Sequence, residues 1–487
     1  MTRTVEVRRG LYRDSVALMQ MSHTVAGLPG VDTALIAMAT PLNLDLLPGL
    51  GFEPAAGTSP DDLLVAISAD DDDALASALR RLEELFSARA SEGLAAEVMP
   101  PRTTQSALKR SGARLAVISV PGPNAFVEAI DALRQDADVM LFSDNVSVEQ
   151  EIRLKDEAHA SGLLVMGPDC GTAIVGGIGL GFANVMQLGR VGVVAASGTG
   201  AQQVCALLDA AGVGVSAVLG TGGRDLSSAV QARSTLDAMK VLDAHEGTDL
   251  IIVLSKPPPA EVAERVQAAA EQLRTPAVVG FLGRGRDDLT MLTGKALEAL
   301  GCPPLDVPRW SAERSWTPRP GALRGLFSGG TLCDEAMVIA ADVLGPIHSN
   351  IPLEAEWALG PDLRSEGHLM IDFGDDQLTQ GRPHPMIDST LRVERFAREI
   401  EDPSCGVVLL DVVLGHGSDP SPAGALVPVI ESATQQRVAV VVSLIGTRGD
   451  PQGLDATARQ LQSAGADVFL SNAVAAQVAT GLVTRRA

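Results

Sequence analysis

Apolar positions along this 487-residue chain gather in short unbroken runs, and past residue 113 each run is followed by a stretch with helical spacing. ARLAVISV (113–120), DVMLFSD (138–144) and LLVMG (163–167) form one such series. RVGVVAA (190–196), VSAVLGTGG (215–223), TDLIIVLS (248–255) and PAVVGFLG (276–283) form a second. LRGLFS (323–328), HLMIDF (368–373), GVVLLDVV (406–413), VAVVVSLI (438–445) and ADVFLS (466–471) form a third. Runs that are apolar throughout, instead of alternating with polar residues, belong to strands covered on both faces, and strands that alternate with helices pair in parallel. The pattern predicts an α/β protein built from doubly wound sheets.

The first 98 residues are organised differently. Apolar runs near 5–7, 33–39 and 63–68 alternate with helical stretches at 15–25 and 73–89, which suits a small α+β sandwich. The Pro100-Pro101 pair marks its end. Expected domains are therefore 1–98, 102–186, 189–305 and 322–487, with a linker at 306–321 that overlaps the Pro-, Trp- and Arg-rich stretch 303–320.

Composition narrows the function. A net charge of −22 disfavours nucleic acid and anionic membranes as partners. No apolar stretch is long enough to span a bilayer and the first residues lack a signal-peptide core, so a cytoplasmic location is expected. Five scattered cysteines without CxxC spacing argue against a disulfide framework and against zinc, and Cys170 reads as packing. The acidic run Asp70-Asp71-Asp72-Asp73 reads as the cap of the helix it precedes. Asp375 and Asp376 could hold Mg²⁺ together with Asp372, although capping is the commoner use of such a pair. No other metal site is expected.

Two glycine turns carry the candidate chemistry. Ser197, Gly198, Thr199 and Gly200 follow one buried run, and Ser328, Gly329, Gly330 and Thr331 follow another; each opens a helix. The unpaired N–H groups of a helix N-terminus attract phosphate or carboxylate, so two such turns would clamp one anion if they face each other. The other strand ends supply Gly222, Gly223, Arg224 and Asp225, then Lys256, then His416 between two glycines. Arg224 and Lys256 would neutralise the anion, and His416 would reach a ligand or a neighbouring loop. His384, between two prolines, would serve substrate or a partner subunit. Only five of the 38 basic residues are lysine, which singles out Lys256.

Longer motifs carry a resemblance. MGPDCG at 166–171, GRVGVVAASGTG and GTGGRDLS resemble the α subunit of succinyl-CoA synthetase, and the stretch from SGGTLCDEAM onward resembles the C-terminal ligase domain of its β subunit. YRDSVALM at 12–19, SDNVSVEQEIRLK, GPDCGTAIV, GTGGRDLS, FSGGTLCDEA and DDQLTQGRPHPMID together resemble the FdrA proteins over nearly the whole chain. The resemblance implies an ACT- or ferredoxin-like N-terminal unit, a truncated Rossmann-like CoA-binding-type domain and two flavodoxin-like ligase domains.

The departures from the synthetase decide the expected chemistry. Its phosphohistidine loop corresponds to Gly283-Arg284-Gly285-Arg286, which has no histidine, and its orienting glutamate to Ser255-Lys256-Pro257. The ATP-grasp domain and the GxxGxxG loop that holds CoA phosphates are missing, which counts against CoA and ATP as ligands of this chain alone. The FdrA resemblance implies a subunit of an assembly that transfers a carbamoyl group between carbamoyl phosphate and oxamate in allantoin breakdown. An acyl or carbamoyl phosphate and a small carboxylate or amide are thus the expected ligands, with additional protein subunits. The alternatives are an acyl-CoA synthetase completed by a separate ATP-binding subunit, and a non-catalytic scaffold or regulator.

Overall fold

The computed structural model describes residues 2–484 except 12, 14, 54–56, 92–100, 314–315 and 380–381. Tyr12 and Asp14 of the YRDSVALM motif and Pro100 of the boundary pair lie outside the described residues. Two units separate: residues 1–102 with 376–383, and residues 103–375 with 384–487.

In the first unit, β1 (Thr2–Arg8), β2 (Val31–Met38) and β3 (Leu63–Ala69) form an antiparallel sheet in the order β1-β3-β2. Alternate residues of the central strand serve two cores. Leu63, Val65 and Ile67 pack with Leu18, Met21 and Val25 of helix Ser15–Ala26 and Leu82 of helix Asp72–Ser91. Leu64 and Ala66 pack with Leu47 and Phe52. The acidic run does cap the second helix, since Asp71 accepts the Ala74 N–H at 2.8 Å.

Among the described residues the second unit holds three sheets. β4 (Leu115–Ile118), β5 (Asp138–Leu141) and β6 (Val165–Met166) are parallel, in that order. β7 (Thr172–Val175) and β8 (Ile178–Gly181) form a hairpin that the strand-helix alternation does not predict. The hairpin extends a second sheet of β9 (Leu188–Ala195), β10 (Val215–Gly220), β11 (Leu250–Ser255) and β12 (Ala277–Phe281), ordered β12-β11-β9-β10-β7-β8. The third sheet contains β13 (Arg309–Trp310), β14 (Ala322–Phe327), β15 (His348–Ser349), β16 (Leu369–Asp372), β17 (Cys405–Val413), β18 (Ala439–Ile445) and β19 (Asp467–Phe469). Its order is β13-β19-β18-β17-β14-β16-β15. Arg309 and Trp310 lie in the expected linker, yet they pair antiparallel with β19 and close that edge of the sheet.

Each of these two larger sheets has one strand from which the chain departs to both sides. β9 lies between β10 and β11, and β14 between β16 and β17. The crevice beyond the carboxyl end of such a strand is where ligands gather in doubly wound folds. The two glycine turns follow β9 and β14.

Candidate functional site

The turns meet. Ser197, the N-cap of helix Gly198–Ala210, accepts the Gly200 N–H at 3.0 Å and donates its hydroxyl hydrogen to Thr331 Oγ1 at 2.6 Å. Thr331 stands in the first turn of helix Gly330–Leu344. A Cβ on Gly329 would come within 2.8 Å of Thr199 Cγ2, so glycine is what lets the loops approach. A polar clamp fixes the two helices behind their N-termini. Gln203 donates to Leu470 O at 3.0 Å and accepts from Asn472 N at 2.8 Å, while Asn472 donates to Leu332 O and to Glu335 Oε2.

The approach is closer than the expected clamp requires. The two hydroxyls touch directly, so the helix ends meet at a seam. Half of the second cradle is also filled from within. Asp411, wholly buried in β17, accepts the Ser328 N–H, the Ser328 hydroxyl and the Gly329 N–H at 2.8–2.9 Å, and Arg392 neutralises it at 2.6 Å. The N–H groups of Gly198, Thr199, Gly330 and Thr331 have no protein acceptor among the described residues. Those are the donors left for a ligand.

Charged groups border the seam. Lys256 Nζ lies 3.5 Å from where a Gly330 Cβ would be and pairs with Asp334 at 2.6 Å. Burial pulls the Lys256 ammonium down, but Asp334 and Asp372 outweigh it and hold the group above its usual range. Burial pushes Asp334 up despite that lysine. Asp372 is 6 % exposed; its Oδ1 accepts the Gly374 N–H at 2.9 Å, and its Oδ2 faces Gly330, 2.6 Å from the position of a Cβ there. Burial pushes the Asp372 carboxyl up to about 7, against the Gly374 hydrogen bond and the Lys256 charge. Among the described residues no three acidic, histidine or cysteine side chains converge on a point where a metal could sit.

His384 borders the same place. Its Nε2 lies 2.8 Å from where a Gly374 Cβ would project, a point that is also 3.2 Å from Asp372 Oδ1. Nδ1 accepts the Met386 N–H at 3.3 Å, which puts the proton of the neutral ring on Nε2. The ring lies against Phe182 with centroids 5.6 Å apart. Burial and the nearby Arg392 lower its pKa to about 4, so it is neutral at physiological pH.

Five expected site residues are committed elsewhere. Lys155, 1 % exposed on helix Val148–Ser161, binds Glu151 at 2.7 Å and Asp225 at 2.8 Å. Asp225 also accepts the N–H groups of Ser234 and Thr235 and the Thr235 hydroxyl, so it caps helix Arg233–Ala244 from below instead of binding substrate. Arg224 donates to Val146 O at 2.8 Å and pairs with Glu151 at 3.0 Å, which spends its guanidinium on the joint between the first two sheets. Gly222, with φ +88°, passes so close to Pro168 O that a Cβ would come within 2.2 Å of it, and Gly223 follows beside Asp169. Both glycines serve the same joint. His416 packs on the β7-β8 hairpin, its N–H bonded to Ala183 O at 2.8 Å and its ring 3.3 Å from a Cβ position at Gly179.

The loop in the phosphohistidine position is likewise structural. Arg284 pairs with Glu354 at 3.1 Å and covers the Trp357 ring at 5.2 Å, tying the second sheet's domain to the third's. Cys170 is buried with its thiol pushed up to about 12, as a packed cysteine is. Asp411 escaped the sequence reading, although a lone carboxylate inside the apolar run VVLLDVV is a signal that something buried must pair with it.

Two family models match parts of this chain. Residues 1–100 match the family described as AllF, heavy metal-associated domain, and residues 326–482 match CoA-ligase. Residues 1–100 contain no cysteine, and His23 is their one histidine, so the thiolate donors a soft metal needs are missing. YahF of Escherichia coli K12 is 38% identical over 509 aligned positions, covering 99% of this chain and 98% of that protein. The α subunit of ADP-forming succinate–CoA ligase from Staphylococcus epidermidis is 26% identical over 185 residues, which is 37% of this chain and 60% of that subunit. A dinucleotide-forming acetyl-coenzyme A synthetase of Ca. Korarchaeum cryptofilum, solved with phosphate and ADP, aligns over 80% of this chain and 86% of its own at 16% identity, with a TM-score of 0.30.

Proposed function

The chain belongs to the FdrA-like family that includes YahF, and from that membership we propose that it is a subunit of a carbamoyl- or acyl-phosphate-using transferase. The phosphoryl group rests across the seam of the two helix N-termini. What supports this reading above all is the 2.6 Å contact between Ser197 and Thr331, which gathers the unpaired N–H groups of both turns in one place. Four amide donors and the Lys256 ammonium stabilise the charge that grows on phosphate as it leaves, without a covalent relay. In carbamoyl transfer the acceptor nitrogen attacks the carbamoyl carbon and the carbon–oxygen bond to phosphate breaks. Holding the two reactants together is the other part of the rate enhancement. By resemblance to FdrA proteins the acceptor is a small carboxylate-bearing amide such as oxamate, and further subunits complete the assembly.

A second reading has its own support in the CoA-ligase match of residues 326–482. It makes the chain the acyl-CoA half of a synthetase whose ATP-binding part is a separate subunit. Parallel calorimetric titration of the full chain with carbamoyl phosphate, inorganic phosphate, CoA and ATP separates the two. The transferase reading expects carbamoyl phosphate and phosphate to bind and CoA not to; binding of CoA without either phosphate would replace it with the synthetase.

A further inference from the structure

Asp372 is an unusual neighbour for an anion. The residue is 6 % exposed, and its Oδ2 has no hydrogen-bond partner among the described residues and is aimed at Gly330 in the first turn of the second helix. An ionised carboxylate can only accept hydrogen bonds, and it would repel an oxyanion resting on the Gly330 and Thr331 amides. A protonated carboxyl in the same place donates a hydrogen and completes the donor ring that Lys256 and the amides begin. The surroundings favour that form. Asp411 from β17 and Asp375 from the same loop face it with their charges and the neutral thiol of Cys333 lies beside it, against Lys256 from the end of β11. Arg392 is spent on Asp411, and the neutral ring of His384 brings no charge.

We propose that Asp372 carries a proton when the seam is occupied and donates it through Oδ2 to an oxygen of a tetrahedral oxyanion, so that the site takes up the anion and one proton together. The proposal rests on the phosphate site described above. In the transfer reaction that proton goes to the departing phosphate as the carbon–oxygen bond breaks. The proton lost by the acceptor nitrogen, once it has bonded to the carbamoyl carbon, restores Asp372. Proton and charge balance without a metal or a further reactant.

Sulfate is the probe, because it does not itself titrate in the range of interest. Calorimetry of the full chain with sulfate at pH 8, in two buffers of different ionisation enthalpy, should show uptake of about one proton per anion bound. Between pH 7 and 9 the wild-type Kd should rise about tenfold per pH unit. Asp372→Asn, whose amide donates at every pH, should bind sulfate with a nearly flat profile. No proton uptake by the wild-type chain, or an unchanged slope in Asp372→Asn, would overturn the proposal. Carbamoyl phosphate binding with pH-independent sulfate binding would overturn only the role of Asp372, whereas silence toward both anions would remove the phosphate site itself.

Discussion

Gly329→Ala tests the meeting of the two turns. Gly329 has φ −116°, which alanine adopts without strain, so any effect comes from the new methyl group alone. That methyl would lie 2.8 Å from Thr199 Cγ2 and 2.9 Å from both Thr199 Cβ and Oγ1. Rotating the threonine side chain leaves its Cβ where it is, so the backbone must yield. Ordinary carbon–carbon contact is about 3.5–4.0 Å, and the turns would have to part by roughly 0.7 Å or more. Overpacking of this kind costs about 1–3 kcal/mol. The 2.6 Å hydrogen bond between Ser197 and Thr331 would stretch beyond useful geometry, a further loss of about 1 kcal/mol. Thermal unfolding should fall by several degrees, and carbamoyl phosphate affinity should fall with it because the four amides no longer converge. Thr199→Gly removes all three contacting atoms, so in the double variant the two losses should not add. A coupling energy above about 1 kcal/mol is expected from the double-mutant cycle. If Gly329→Ala were neutral, or if the two substitutions added to within about 0.5 kcal/mol, the turns would not touch and the reasoning would fail.

Lys256→Ala should weaken carbamoyl phosphate binding by about 1.5–3 kcal/mol, the worth of a hydrogen bond to a charged group, and calorimetry reads it directly. Arg224→Ala should leave that affinity unchanged, because its guanidinium serves Glu151 and Val146. Lys155→Met leaves Asp225 buried without its cation, and Glu151 with Arg224 alone, and should destabilise the fold by about 3–5 kcal/mol in denaturant titration. His384 has a folded pKa lowered to about 4, so the unfolded chain binds the extra proton first, and stability is lost as pH falls from about 6.5 toward 4. The loss from this group amounts to roughly 3 kcal/mol, and in His384→Gln the acid side of the stability profile should flatten accordingly.

The parallel strands were legible because their burial on both faces writes itself as uninterrupted apolar sequence. All nine residues of Cys405–Val413 and all seven of Ala439–Ile445 are buried. The hairpin Thr172–Gly181 was not, since two four-residue strands joined by Gly176 and Gly177 are too short to show a period. Arg309 and Trp310 were hidden among prolines, and only the partner strand reveals them as an edge. At the site, the glycine turns announced themselves through small residues between an apolar run and a helix. Where Arg224 and Asp225 point could not be read, because their partners Glu151 and Lys155 come from another domain and compete for the same charges. The approach of His384 to Asp372 was equally silent: it passes through Gly374, whose missing side chain leaves no pattern beyond a common loop glycine.

A crystal structure of the full chain grown with carbamoyl phosphate or inorganic phosphate decides whether the two turns bind an anion. A tetrahedral anion is expected across the seam, within hydrogen-bond distance of the Gly198, Thr199, Gly330 or Thr331 amides and of Lys256 Nζ. An anion held instead by Arg224 or by the loop 283–286, with the seam empty, would contradict it.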